Sequence, residues 1–144
     1  FAAGRAGERF GVRNSGAKVV IEGCGSNGCE YMTGGVAVIL GRVGDNFGAG
    51  MTGGMAFVYD PQDGFKLRVN PDSVVYQRVD SAHWEKVLKS LVQEHAQETQ
   101  SRYALRLLND WDIELGRFWQ IAPKEMLSRL EHPLSDREAA TARA

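Results

Sequence analysis

The sequence predicts a mainly β fold with C-terminal helices, a parallel β-helix built as a single-stranded solenoid, on three observations. First, Met32-Thr33-Gly34-Gly35-Val36-Ala37-Val38-Ile39 is echoed nineteen residues later by Met51-Thr52-Gly53-Gly54-Met55-Ala56-Phe57-Val58. Second, the same step carries Gly35 back to Gly16, Val38 to Val19, Gly44 to Gly25 and Asn46 to Asn27. Third, each copy holds an apolar, β-branched run bounded by glycines, which marks a short strand between tight turns and leaves no room for a helix. A constant period with small residues in register is the mark of layers stacked on one another.

The repeat covers about Arg13 to Tyr59, roughly two and a half copies. On the usual strand spacing of about 4.8 Å, Val19, Val38 and Phe57 are expected in one column, with Val20, Ile39 and Val58 in the next. Gly16, Gly25, Gly34, Gly35, Gly44, Gly53 and Gly54 are assigned as structural repeat residues, supplying the close approaches and positive φ that corners need. An antiparallel meander with glycine turns is the alternative, and it predicts alternation without constant register. Phe1 to Gly7 opens in mid-pattern without a polar cap, so the solenoid is expected to be truncated at its N-terminal side. The uncapped layer would then invite self-association through its edge.

Beyond Tyr59 the material changes. Asp60-Pro61-Gln62-Asp63-Gly64 forms a turn, Phe65 to Val69 alternates like an edge strand, and Asn70-Pro71-Asp72 turns again toward Val74-Val75-Tyr76. A helical stripe follows at Trp84, Val87, Leu88, Leu91, Val92 and His95, with Asp80 or Ser81 as N-cap. A second helix is expected from Ser101 to Trp111, an extended run from Arg117 to Pro123, and a short last helix from Lys124 to Glu131. Trp84, Trp111 and Trp119 are expected to anchor the helices on the strands. The organisation predicted is therefore 1–79 repeat layers and closing strands, 80–131 helical extension, and 132–144 tail. A net charge of −1 and 43% hydrophobic residues over 144 positions suit one soluble domain with an appendage.

Catalytic signatures are absent from the sequence. Gly23-Cys24-Gly25-Ser26-Asn27-Gly28 matches the dinucleotide pattern G-x-G-x-x-G, with Asp45 at about the distance of a ribose acid, but a helix must begin inside that pattern and another strand-like run follows instead. Cys24 and Cys29 stand alone, with His83, His95 and His132 far along the chain, so neither a zinc site nor an iron–sulfur set is predicted. No G-x-S-x-G, H-E-x-x-H or Walker loop is present. Arg5, Arg9 and Arg13 are interleaved with Glu8 and make no nucleic-acid footprint. Glu22 and Glu30 are expected to face solvent or bond to turns, and His95 to be a hydrogen-bonded packing residue. No apolar run is long enough for a membrane span. The prediction for this segment is no catalytic, cofactor-binding or metal-binding residue, and no nucleic-acid or membrane partner.

With these residues in place, Gly7 to Ala17, Glu22-Gly23, Gly28 to Gly35, Asn46-Phe47, Gly50 to Gly54 and Val69-Asn70-Pro71 are very similar to the C-terminal glycine-repeat domain of the glutamate synthase large subunit. The resemblance runs from about Phe1 to Glu131. It implies a right-handed β-helix without catalytic residues, serving as a scaffold or spacer in an oxidoreductase with glutamine amidotransferase activity that makes L-glutamate from glutamine and 2-oxoglutarate. It also implies FMN and an iron–sulfur cluster elsewhere in the parent, with the glutaminase and FMN domains, and a small reductase subunit, as partners. A cytoplasmic location, or a plastid one for a plant-type parent, goes with it. The alternative is a stand-alone glycine-repeat structural subunit like those beside formyl-transfer enzymes of methanogenic metabolism. A nucleotide-binding enzyme built on Gly23 to Gly28 is the third reading.

Overall fold

Residues 1–130 and 133–135 are described by the structure, a computed structural model. Three strands carry the repeat: β1 (Ser15–Ile21), β2 (Thr33–Ile39) and β3 (Gly53–Tyr59). They lie side by side and parallel. Two later strands, β4 (Val74–Arg78) and β5 (Phe118–Pro123), complete a five-stranded mixed sheet in the order β1-β2-β3-β5-β4.

The predicted β-helix is therefore corrected. The fold is a small mixed α/β domain, not a solenoid and not mainly β with appended helices. What ends the parallel run is β5, which returns antiparallel along β3 and pairs Ala56 with Ile121 and Tyr59 with Phe118. All six residues of β5 are buried, so the apolar run is satisfied only inside a sheet, with β4 on its other side.

The register is also shifted from expectation at one strand. Val38 stands beside Phe57 and Ile39 beside Val58, as the nineteen-residue step requires, but Val20 rather than Val19 stands beside Val38. Val19 instead neighbours Ala37. The cause is a bulge between Ser15 and Lys18, repeated between Thr33 and Val36, where one strand runs three residues against two on its neighbour. At each bulge a glycine lies against the preceding layer. Gly35 and Gly54 both have φ +84°, and a Cβ on Gly35 would fall 2.3 Å from the Ala17 carbonyl oxygen.

Because side chains alternate across the sheet, the two faces bury different sets. Val20, Val38 and Phe57 face a helical layer of α1 (Ala82–Thr99), α2 (Arg102–Asn109) and α3 (Trp111–Glu114). Leu88, Leu91 and Val92 of α1 and Leu107 of α2 are buried with them. Ile21, Ile39 and Val58 face the loops, packing with Cys24, Cys29, Met32, Phe47 and Phe65. Each such side chain contributes about 1.5–3 kcal/mol on full burial.

The loops after β1 and β2 lie over one another through backbone hydrogen bonds such as Asn27 N–H to the Asp45 carbonyl (2.8 Å) and Tyr31 N–H to the Ala49 carbonyl (2.9 Å). Asn46 Nδ2 donates to Asn27 Oδ1 at 3.2 Å, and Asn70 Nδ2 to Asn46 Oδ1 at 2.9 Å, making a short asparagine ladder. Asn27 and Asn46 hold the left-handed conformation (φ 61° and 62°) that asparagine tolerates better than most residues.

Two further expectations change. Phe65 to Val69 is not an edge strand; Phe65–Leu67 is a 3-10 turn, because the Asp60 carboxylate accepts the Gly64 and Phe65 amides at 3.0 Å each and curls the chain. The last helix is a 3-10 segment, Lys124–Arg129. Glu131, His132 and the tail 136–144 lie outside the described residues.

Candidate functional site

The loop end of the sheet collects the polar side chains, and Glu22 is its hub. The residue follows β1, and its carboxylate reaches the helical layer: His95 Nε2 lies 3.1 Å from Oε2, and Ser101 Oγ donates to Oε1 at 3.3 Å. The Gly4 amide donates to Oε2 at 3.3 Å. His95 is wholly buried on α1, and its Nδ1 has no partner among the described residues. A carboxylate oxygen only accepts, so the ring carries a proton on Nε2 and donates it to Glu22. Ser101 also caps α2 by accepting the Ala104 amide at 3.1 Å. Glu22 was expected at solvent or on a turn; the structure makes it the tie between β1 and two helices.

Beside Glu22 opens a cleft of about 410 Å³, with Arg5, Arg42 and Arg68 on its walls and Val58, Tyr59 and Phe65 among its apolar lining. The Tyr103 hydroxyl there donates to the Leu40 carbonyl at 2.6 Å, and burial pushes its pKa up to about 12. Tyr59 hydrogen-bonds to Glu114, which also accepts Arg117 Nη1 at 3.0 Å; burial first, then Glu114, raises its pKa.

Three amides of the dinucleotide-like loop are already bonded within the fold. No helix begins between Gly23 and Gly28. Cys24 N–H donates to the Arg42 carbonyl, Gly25 N–H to Gly7 and Asn27 N–H to Asp45, so these donors are used between layers. Asp45 is exposed and pairs with Arg68 at 3.6 Å. The two cysteines are buried free thiols. Burial raises Cys24 to about 11 against the weaker pull of Arg5, and Cys29 is driven up further by its complete burial. Such thiols are poor metal ligands at neutral pH. No group of three or more His, Cys, Asp or Glu side chains placed to hold a metal occurs among the described residues. The residues here therefore do not fit an iron–sulfur cluster. His83 and Arg9 are exposed, Glu30 is half-buried, and His132 lies outside the described residues.

The assigned glycines differ in what surrounds them. A Cβ would meet the Ser15 carbonyl oxygen at 2.5 Å from Gly34, Ser26 N at 2.3 Å from Gly44, and the Thr33 carbonyl oxygen at 1.9 Å from Gly53. Gly25 is tight at 3.1 Å from Glu8, and Gly54 at 2.7 Å from Met32 Cε, whereas Gly16 has open space. The tryptophans divide. Trp84 and Trp111 pack in the helical layer, but Trp119 lies on the loop face, under the Arg78 guanidinium at 3.7 Å. No helix of the described residues is long and apolar enough to cross a membrane.

Sequence comparison with known proteins shows what the chain is similar to. The chain is 66% identical over 134 residues to the glutamate synthase [NADPH] large chain of Azospirillum brasilense, covering 93% of this chain and 9% of that one. It is 51% identical over 123 residues to the ferredoxin-dependent glutamate synthase of Pyropia yezoensis, covering 85% and 8%. With the glutamate synthase [NADH] of Schizosaccharomyces pombe it shares 46% identity over 140 residues, covering 97% and 7%. The chain thus spans less than a tenth of the length of these relatives. The GXGXG motif family matches residues 1–124, most of the sequence, and the chain belongs to that family.

Proposed function

We propose that this chain is a segment of a glutamate synthase large chain and serves there as a rigid, non-catalytic spacer. The observation that carries the reading is the 66% identity over 93% of the chain to a glutamate synthase large chain. The physical basis for stiffness is the layered loop end, where backbone bonds, the asparagine ladder and glycine contacts fix each layer on the next. A spacer of this kind holds two active centres at fixed separation. In the parent, glutamine would supply ammonia at one centre, and 2-oxoglutarate would be aminated and reduced to L-glutamate at another.

FMN and an iron–sulfur cluster would be held by other parts of the parent. The partners would be its glutaminase and FMN domains, with a small reductase subunit in some forms. The parent would be cytoplasmic, or plastid in a plant-type form. On its own the chain would self-associate through the outer edge of β1, whose residues Ser15 to Lys18 are exposed; sedimentation showing a concentration-independent monomer would contradict this.

The test is to delete Met32 to Gly50 from the intact parent, removing one layer, and to follow glutaminase turnover and glutamate formation together. The spacer reading expects glutamine-dependent synthesis to fall and to lose its fixed ratio to glutamine consumed. Unchanged synthesis and ratio would end it. The many identities to glutamate synthases leave the formyl-transfer subunit alternative unfavoured.

A further inference from the structure

We propose that the cleft beside Glu22 binds a small organic dianion, a dicarboxylate or a phosphate ester, through Arg5, Arg42 and Arg68. The argument rests on which charges in the cleft are already used. Its two carboxylates are engaged internally: Glu22 by His95, Ser101 and the Gly4 amide, and Asp60 by the Gly64 and Phe65 amides and by Trp119 Nε1 at 3.0 Å. The guanidinium groups are not. Arg5 and Arg42 have no hydrogen-bonded or ion-paired carboxylate among the described residues, and Arg68 has only the exposed Asp45 at 3.6 Å. The lining therefore carries three guanidinium cations against two carboxylates, and the oxygens of those carboxylates are held by internal donors.

Arg5 is also seated. It lies across Gly23, where a Cβ would fall 3.0 Å from Arg5 Nε and 3.1 Å from its Cγ, with the Arg42 carbonyl oxygen 3.4 Å away. The bare glycine backbone thus gives the arginine its course toward the Arg42 layer. Planar guanidinium forks match the paired oxygens of carboxylates and phosphates, which favours these groups over a halide. The Tyr59 and Tyr103 hydroxyls are committed elsewhere, and the buried Val58, Tyr59 and Phe65 form the floor of the cleft, so the guanidinium groups are the polar contacts it offers a ligand. The volume, about 410 Å³, is that of a small-molecule site.

The test is calorimetric titration of the 144-residue chain with succinate and with phenyl phosphate, against chloride at matched ionic strength. Saturable binding of both probes is expected, weakened at least tenfold in Arg5→Ala and in Arg42→Ala. The control Lys18→Ala, on the exposed edge of β1, should bind as the unaltered chain does. Both arginines are exposed, so circular dichroism of the unliganded variants should match the parent spectrum. No saturation by either probe, or weakening in Arg42→Ala no greater than in Lys18→Ala, would overturn the proposal.

Discussion

His95 Nε2 sits 3.1 Å from Glu22 Oε2, joining the end of the first strand to the long helix inside the protein. Glu22→Ala leaves a buried imidazole N–H and the Ser101 hydroxyl without their acceptor. The expected loss is about 1–3 kcal/mol of unfolding free energy. Glu22→Gln keeps an acceptor oxygen and should lose less. Urea denaturation followed by circular dichroism measures both, and equal losses would show that the carboxylate is not the joint.

The glycines separate into tight and open positions. Gly53→Ala would place a methyl 1.9 Å from the Thr33 carbonyl oxygen, so the strands must shift, at about 3 kcal/mol. Gly16→Ala meets nothing within 4 Å and should change stability by no more than about 0.5 kcal/mol. Thermal unfolding of the pair is the comparison.

Both thiols should be inert in the folded chain. Burial lifts Cys24 from 9.0 to about 11 and Cys29 in the same direction, so the folded state holds protons that the unfolded chain releases. Stability from this source is complete below pH 9 and falls as pH rises from 9 toward 11. A thiol-reactive dye at pH 8 should label neither cysteine until denaturant is added. Fast labelling of the native chain would contradict their placement.

Arg78 covers the Trp119 ring at 3.7 Å while its Nη2 lies 3.4 Å from Asp63. Arg78→Ala should remove about 1 kcal/mol of stability and alter tryptophan emission. Unchanged emission would place the guanidinium elsewhere.

Much of the strand layout was legible because the repeat is short-range. Three glycine-bounded apolar runs became β1, β2 and β3, and Asn27 and Asn46, matched by spacing, are hydrogen-bonded in space. The fold class was not legible, since it depends on β5 returning to β3 from about sixty residues further on, a pairing that no local period encodes. The Val19 column missed by one place because a bulge between Ser15 and Lys18 is invisible to counting. Glu22 was underrated for a similar reason. Its partners His95 and Ser101 lie more than seventy residues away, and only the buried His95 on an apolar stripe hinted that an acid must meet it.

The most direct measurement is ammonia released per glutamate formed by the intact parent carrying Gly53→Ala, with Gly16→Ala as control. A rigid spacer predicts that the ratio rises for Gly53→Ala, where the strands are forced apart, and stays at the unaltered value for Gly16→Ala. An unchanged ratio in a Gly53→Ala parent whose melting temperature has fallen would show that stiffness of this segment does not hold the two centres in register.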